Sequence, residues 1–172
     1  MQLAAIQPEL DALGVATVAI VSSLLERARL YFKYRPTRIL IAADPDRATH
    51  RPFGVPTMGT LHGLTQEEAL GILIDPTGEL GAPTPAGAAR RELSRRDGYQ
   101  TTPEEDEVRA GPQGLAVMYL IDIGGVVRWR WVEAMRRPED VGTFPRGSEL
   151  LSATQDAISP AWTVPSSAAP DS

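Results

Sequence analysis

The apolar residues at the start of the chain recur at intervals of three and four, which places them on one face of a helix; they are Leu3, Ile6, Leu10 and Leu13. Gly14 ends this pattern. Because proline has no N–H to donate to the carbonyl four residues earlier, Pro8 either occupies the first turn of a short helix or kinks a longer one. A helix is therefore predicted at the start of the chain.

A strand and a second helix are predicted next. Residues 15–21 form a nearly continuous run of apolar and β-branched residues, which is typical of a strand buried on both faces. Ser23 and Glu26 have the spacing of a capping box, in which each side chain bonds to the backbone of the other residue. The helix that they start is predicted to run to about Tyr34. This alternation of helix and strand favours an α/β domain.

A second short strand is predicted at residues 39–42, where the sequence reads ILIA. Either Asp44 or Asp46 is then expected to cap a brief helix that extends through the region of His50 and Gly54.

Residues 57–113 have a different composition, being rich in Gly, Pro, Thr and Arg. Only two helices are predicted there, in TQEEALGIL and AGAARRELSRR, so we interpret the segment as an insertion on the surface of the domain. ILIDPTGEL at 72–80 resembles YLIDIGGVV at 119–127, but it has a shorter apolar flank. The hairpin is therefore assigned to the second copy.

The predicted hairpin consists of a fully buried inner strand at 116–121, a turn at 122–125 and a half-buried strand at 126–132. In the outer strand, one face carries Val127, Trp129 and Trp131, and the other carries Arg128 and Arg130. A final amphipathic helix is predicted in SELLSATQDAI. The domain is assigned to residues 1–152, and residues 153–172 are assigned to a disordered tail.

Composition limits the function. A chain of 172 residues with 42% hydrophobic residues is enough for one domain with a core. The net charge of −5 and the scattered arginines disfavour nucleic acid as a partner. No apolar stretch is long enough to span a membrane and no secretory signal is recognised, so a cytoplasmic protein is expected. The sequence contains no cysteine and no glycine-rich phosphate-binding pattern, and no cofactor is predicted.

Several segments, taken in order, carry a family resemblance. A helix, GVATVAIVSS, a capped helix, ILIAADPDRATHRPFGVP and YLIDIGGVVRW together resemble the alkyl hydroperoxide reductase/thiol-specific antioxidant (peroxiredoxin-like) family of redoxins. The similarity covers about residues 2–56 and 115–132. It implies a thioredoxin-like three-layer α/β/α fold with a mixed sheet, here carrying the long insertion at about 57–113. It also implies a thiol-dependent peroxidase or disulfide oxidoreductase activity.

The sequence departs from this family at both functional positions. The family places a reactive Cys at the N-terminus of its first helix, where the helix dipole lowers the pKa of the thiol. Met1 lies at that place or just after it. The second position, a cis-Pro or an Arg six residues before Asp122, corresponds to Ala116. No catalytic, cofactor-binding or metal-ligating residue is therefore assigned, and whether the chain is an enzyme stays open.

The family strand that precedes the reactive Cys has no counterpart in this sequence. By resemblance it would lie between the strands at 15–21 and 116–121, so both of these would face a gap in the sheet. Unpaired buried N–H and C=O groups cost about 1–3 kcal/mol each, so a repair is expected. The two strands close up, part of the insertion fills the gap, a second chain supplies a strand, or the true start codon lies upstream of Met1.

Two function classes follow. The chain is a truncated or degenerate redoxin-family oxidoreductase without a catalytic Cys. Alternatively, it is a non-catalytic thioredoxin-like module that binds a protein partner, or forms a homodimer, through its open sheet.

Other candidate sites have simpler explanations. Asp44, Asp46 and His50 can form an acid/base or metal cluster, but a turn and a helix cap with a solvent-facing His are favoured. His62 is expected in a loop.

Two further sets of side chains can be either ligand-binding or purely structural. The arginines of the second insertion helix can hold a phosphate, although a solvated face is favoured; they are Arg90, Arg91, Arg95 and Arg96. Trp129 and Trp131 can stack on a ligand, although packing under the last helix is favoured.

Overall fold

The computed structural model of the protein describes residues 2–75, 80–96, 98, 102–103 and 114–158. The helices in this part of the chain are α1 (Gln2–Ala5), α2 (Gln7–Ala12), α3 (Leu25–Tyr34), α4 (Met58–His62), α5 (Gln66–Gly71), α6 (Ala86–Arg96), a 3-10 turn (Pro138–Asp140) and α7 (Gly147–Ile158). The strands are β1 (Val18–Val21), β2 (Leu40–Ala43), β3 (Leu73–Ile74), β4 (Thr84–Pro85), β5 (Val117–Ile121) and β6 (Val127–Val132).

The described strands form three separate pairs. β1 pairs with β2 in parallel, whereas β3–β4 and β5–β6 are antiparallel. The mixed α/β class is therefore confirmed, but the continuous mixed sheet expected from the sequence is not observed among these residues. The hairpin and the parallel pair share no ladder.

The parallel pair is a β1–α3–β2 unit. The helix ends at Tyr34, as predicted, but its start differs from the prediction. Its N-cap is Leu24, no side chain caps it, and the Ser23 hydroxyl donates to the carbonyl of Leu24. The predicted capping box with Glu26 is therefore wrong, because the Ser23 hydroxyl bonds to the next residue and not to the first turn of the helix.

One face of the parallel pair is uncovered. Val18 and Ile20 of β1 are 53% and 48% exposed, and Leu40 of β2, opposite Val18, is 65% exposed. The residues between them on the two strands are half-buried. The prediction of burial on both faces is wrong, although parallel sheets normally have both faces covered.

The N-terminal pattern forms two short helices that contact α7. Pro8 lies in the first turn of α2, which is one of the two predicted alternatives, and Leu10 is 4% exposed. Ile6, between the helices, packs against the first residue of α7. A Cβ on Gly147 would lie 2.6 Å from Ile6 Cγ2, so this contact requires a glycine.

More than half of the buried hydrophobic cluster comes from the segment that was interpreted as a surface insertion. Four of its buried members come from residues 57–113, and the whole cluster is Met58, Ile74, Ala86, Ala89, Leu115, Ala134 and Val141. Small alanines on α6 allow close approach of the neighbouring elements. The surface interpretation is therefore wrong, because this segment supplies the core against which the end of the hairpin packs.

Local capping explains why the segment folds. α5 starts at the capping box of Thr65 and Glu68, and the Thr65 hydrogen bonds lower the pKa of Glu68. α4, which was not predicted, has a similar box between Thr57 and Thr60, and Gly63 ends it with φ +72°.

The repeat-like sequence at 72–80 forms part of a short ladder. β3 pairs with β4, so Ile74 lies opposite Thr84. The sequence assigned no tight hairpin to residues 72–80. Residues 76–79 of this stretch lie outside the described residues.

The second copy forms the predicted hairpin. In the turn, Asp122 Oδ1 accepts from the N–H groups of Gly124 and Val126, both at 2.9 Å, and Gly125 has φ +79°. The Val126 hydrogen bond and the Arg128 guanidinium lower the pKa of Asp122. The inner strand β5 is half-buried, so the prediction of full burial is wrong.

The last helix ends at Ile158, which is the last residue of the predicted segment SELLSATQDAI, so the residues from 153 to 158 that were assigned to the tail are helical. The predicted disorder of residues 159–172 lies outside the described residues.

Candidate functional site

Asp44 organises the turn by which the chain leaves β2. Its carboxylate accepts from the N–H groups of Ala48 and Thr49, each at 2.9 Å, and from the Thr49 hydroxyl. These bonds, the hydroxyl first, lower the pKa of Asp44. Asp46 is exposed. The predicted cap is therefore Asp44, and it stabilises consecutive turns, not the helix that was expected.

His50 links the end of β1 to Gly114, which lies three residues before β5. Its Nε2 lies 3.1 Å from Ser22 Oγ, and a Cβ built on Gly114 would lie 2.7 Å from the same nitrogen. His50 Nδ1 is buried and has no hydrogen-bond partner among the described residues. The expectation of a solvent-facing His is wrong. We call the contact of Ser22, His50 and Gly114 the junction.

The Ser22–His50 pair resembles the nucleophile and general base of a serine hydrolase site. The other groups that such a site needs are not found around it in the described part of the chain. A serine nucleophile needs N–H groups that bind the developing oxyanion and a third group that orients the imidazole. The N–H of Ser23 donates to the carbonyl of Val21 at 2.9 Å, and His50 Nδ1 has no described partner. The geometry therefore supports a structural link between two strands.

A second set of contacts ties the hairpin to the segment that follows His50. The Tyr119 hydroxyl donates to the carbonyl of Phe53, and Arg130 donates to the carbonyl of Gly54 at 3.1 Å. The Arg130 guanidinium also lies over the Tyr119 ring, 5.9 Å from its centre. The outward-facing arginine predicted in β6 therefore has a specific backbone partner.

Backbone contacts close the end of β5 that lies nearest the junction. The N–H of Leu115 donates to the carbonyl of Pro56 at 2.8 Å, and Thr57 forms an antiparallel bridge with Gly114. The segment from His50 to Thr57 therefore spans from the end of β1 to the start of β5.

The free edge of β1 can be identified from its hydrogen bonds. The N–H of Asp44 donates to the carbonyl of Val21, so Val21 directs its backbone groups toward β2. Consecutive strand residues alternate in direction, so Ala19 also faces β2. Val18 and Ile20 direct their N–H and C=O groups to the other edge, with which no described strand pairs.

The same argument identifies the free edge of β5. The N–H of Glu133 donates to the carbonyl of Ala116 at 2.8 Å, so Ala116 and, by alternation, Met118 face β6. Val117 and Tyr119 direct their backbone groups to the opposite edge. No described strand pairs with that edge.

Ala116, which corresponds by resemblance to a functional position, contributes only its backbone. Its N–H donates to Glu133 Oε2 at 2.7 Å, and the N–H of Gly142 donates to Glu133 Oε1 at 2.6 Å. Glu133 is 8% exposed and was not singled out from the sequence. An acidic residue between apolar neighbours, as in WVEAM, is the sequence signal that could have identified it.

The remaining polar candidates have structural roles. His62 lies in α4, not in a loop, and its Nε2 lies 2.6 Å from the carbonyl oxygen of Ala134. Arg95 and Arg96 pair with Glu92, and Arg90 and Arg91 are exposed. The favoured reading of these arginines as a solvated face is confirmed.

The tryptophans of β6 contact the last helix region. Trp129 lines a cleft of about 570 Å³ whose other wall is α7, including Ser152 and Asp156. The Trp131 ring lies 5.5 Å from the ring of Phe144, centre to centre. The favoured reading, aromatic packing near α7, agrees with both positions.

No group of three or more metal-ligating side chains occurs among the described residues. In the same part of the chain, no helix has the length and apolar character needed to cross a membrane. Comparison with family models, with curated proteins and with solved structures found no match for the chain.

Proposed function

We propose that this chain is a thioredoxin-like homologue of the redoxins that acts by binding a protein partner, not by thiol chemistry. The single observation that carries the proposal is the division of the described strands into a parallel β1–β2 pair and an antiparallel β5–β6 hairpin, each with an edge that no described strand pairs. This order and these directions resemble a thioredoxin sheet from which one strand has been omitted.

The helices support the same reading. α1 and α2 contact α7, which also contacts β6, whereas α3 connects β1 to β2 and contacts β2. This arrangement supports the proposal, because the redoxin resemblance of the sequence implies the same order of elements.

The chain's own chemistry favours binding over redox activity. It has no cysteine, so it contains no thiolate to attack a peroxide or a disulfide. Exposed apolar residues on the parallel pair supply a surface that a partner protein can cover.

The proposal is tested by partner capture with matched variants. The wild-type chain, V18K/I20K and L73K serve as baits in extracts of the cells that make the protein. Leu73 is the control because it is also exposed, at 58%, but lies on β3. We expect a protein that is retained by the wild type and by L73K, and at least tenfold less by V18K/I20K. Equal retention by all three, or no retained protein, would count against a binding role for this surface.

A second measurement separates the redox alternative. Hydrogen peroxide consumption in the presence of dithiothreitol is expected to proceed at the rate of the protein-free reaction. Turnover by the purified chain would contradict the proposed function.

A further inference from the structure

We propose that one extended peptide strand binds between the free edges of β1 and β5, so that the two separate pairs become one sheet. This inference rests on the proposed function and names the form of the partner. The slot is the space beside Val18 and Ile20 on β1 and beside Val117 and Tyr119 on β5.

The backbone of the slot requires a strand and not a helix. The edge residues of β1 and β5 each present an N–H and a C=O that no described residue bonds. A helix satisfies its own backbone groups, whereas an extended strand presents donors and acceptors on both of its edges. One strand therefore satisfies both rows at once, as in the strand-addition mode of peptide recognition.

The junction sets the geometry of the slot at one end. β1 runs toward the junction and β5 runs away from it, because Ser22 follows β1 and Gly114 precedes β5. The imidazole of His50 lies between these two residues. A side chain therefore separates the strands where they approach, and an inserted strand needs a separation of about 10 Å, twice the usual spacing.

A further observation points to an occupant. Val18 and Ile20 expose about half of their surface on one face of β1. A strand with apolar, β-branched side chains on that face would extend the apolar surface.

The charge of the slot defines the chemistry of the strand. Its four edge residues are uncharged, and Arg130 of the hairpin already bonds to Gly54. The partner is therefore an uncharged extended segment of about five residues, rich in Val, Ile and similar residues.

The probe is a synthetic peptide with the sequence of residues 15–21, VATVAIV, flanked by two lysines at each end for solubility. Amide hydrogen exchange of the labelled protein is followed by NMR with and without the peptide. We expect exchange of the Val18, Ile20, Val117 and Tyr119 amides to slow at least tenfold. Ala19 and Val21, which already face β2, serve as internal controls.

A second peptide tests insertion between two edges. N-methylation of alternate residues removes the donors from one edge of the peptide, so it is expected to protect β1 or β5 but not both. Protection of a single edge by the unmodified peptide, or of neither edge, would overturn the proposal.

A variant localises the binding. I20P removes a donor from the free edge of β1, where proline is tolerated, and is expected to weaken peptide binding at least tenfold. A43P is the matched control, because Ala43 directs its N–H to the outer edge of β2 and is expected to leave binding unchanged. Equal peptide binding by both variants would contradict binding at the free edge of β1. The methylated peptide tests the same point without a substitution in the protein.

The protein alone provides the remaining outcomes. In one outcome, the edge amides are already protected in the protein alone while sedimentation shows a dimer. In that case a second copy of the chain supplies the strand, and the proposal is overturned. The same protection in a monomer would mean that the two strands close on each other. Loss of partner capture in V18K/I20K without peptide protection would reject the slot and leave the binding function standing.

Discussion

The segment of residues 57–113 and the β1–β2 unit bury their apolar residues in opposite ways. The first has few apolar residues and many prolines and glycines, yet it supplies Met58, Ile74 and Ala89 to the main core. The second has a more apolar sequence than the first, yet Val18 and Leu40 are more than half exposed. Apolar content therefore does not identify the core of this protein; the presence of a second covering layer does.

The difference in burial between the two regions is tested most directly by truncating one apolar side chain in each. M58A removes a side chain that is 8% exposed and is expected to lower the free energy of unfolding by about 2–5 kcal/mol. I20A removes one that is 48% exposed and is expected to cost about 0.5 kcal/mol or less. Urea denaturation measures both. Equal costs would mean that β1 is covered in solution.

The link between the hairpin and the core depends on Glu133. E133A leaves the buried N–H groups of Ala116 and Gly142 without their acceptor, and we expect a loss of about 2 kcal/mol or more. E133Q, which keeps one oxygen, is expected to fall between E133A and the wild type. E139A is the control at an exposed glutamate. Denaturation curves that coincide for E133A and E139A would remove Glu133 from this role.

Helix caps provide a smaller contrast between the same regions. T65A removes a complete capping box from α5 and is expected to cost about 1 kcal/mol. S23A removes a hydroxyl that caps nothing in α3, and a change within about 0.5 kcal/mol is expected. The two variants are compared by thermal unfolding. A larger cost for S23A would restore the capping box that the sequence predicted.

The smallest expected effect is a loss of folding stability at acidic pH. Hydrogen bonds from Arg95 and Arg96 lower the pKa of Glu92 from 4.5 to about 2. A carboxyl whose pKa is lower in the folded state contributes stability above its unfolded pKa and loses it as the pH falls through the folded value. Stability is therefore expected to fall between about pH 4.5 and pH 2, and E92Q is expected to flatten this decline. An NMR titration of Glu92 measures the pKa, and a midpoint near 4.5 would contradict the ion pairs.

Local chemistry was predictable where neighbouring residues decide the structure. The hairpin turn follows from Asp122 and Gly125, because the carboxylate bonds to nearby N–H groups and glycine adopts the positive φ. The end of α3 at Tyr34 was also predicted correctly. These features involve residues within a few positions of one another.

Predictions failed where a competing local bond or a distant residue decides. The spacing of Ser23 and Glu26 fits a capping box, but the Ser23 hydroxyl bonds to Leu24. His50 was expected to face solvent. Its imidazole instead contacts Ser22 and lies where a side chain on residue 114 would be. Glu133 was not singled out because its partners are remote backbone groups, which a sequence does not indicate.

The sequence by itself determined the hairpin, the β1–α3–β2 unit, the presence of α5 and the absence of thiol chemistry in this chain. These depend on short-range hydrogen bonds, on periodicity and on residue types. Only the tertiary structure decided which apolar residues form the core, which strand edges stay unpaired and where His50 lies. Burial and edge pairing are properties of two surfaces brought together, and a pattern along one strand describes only one of them.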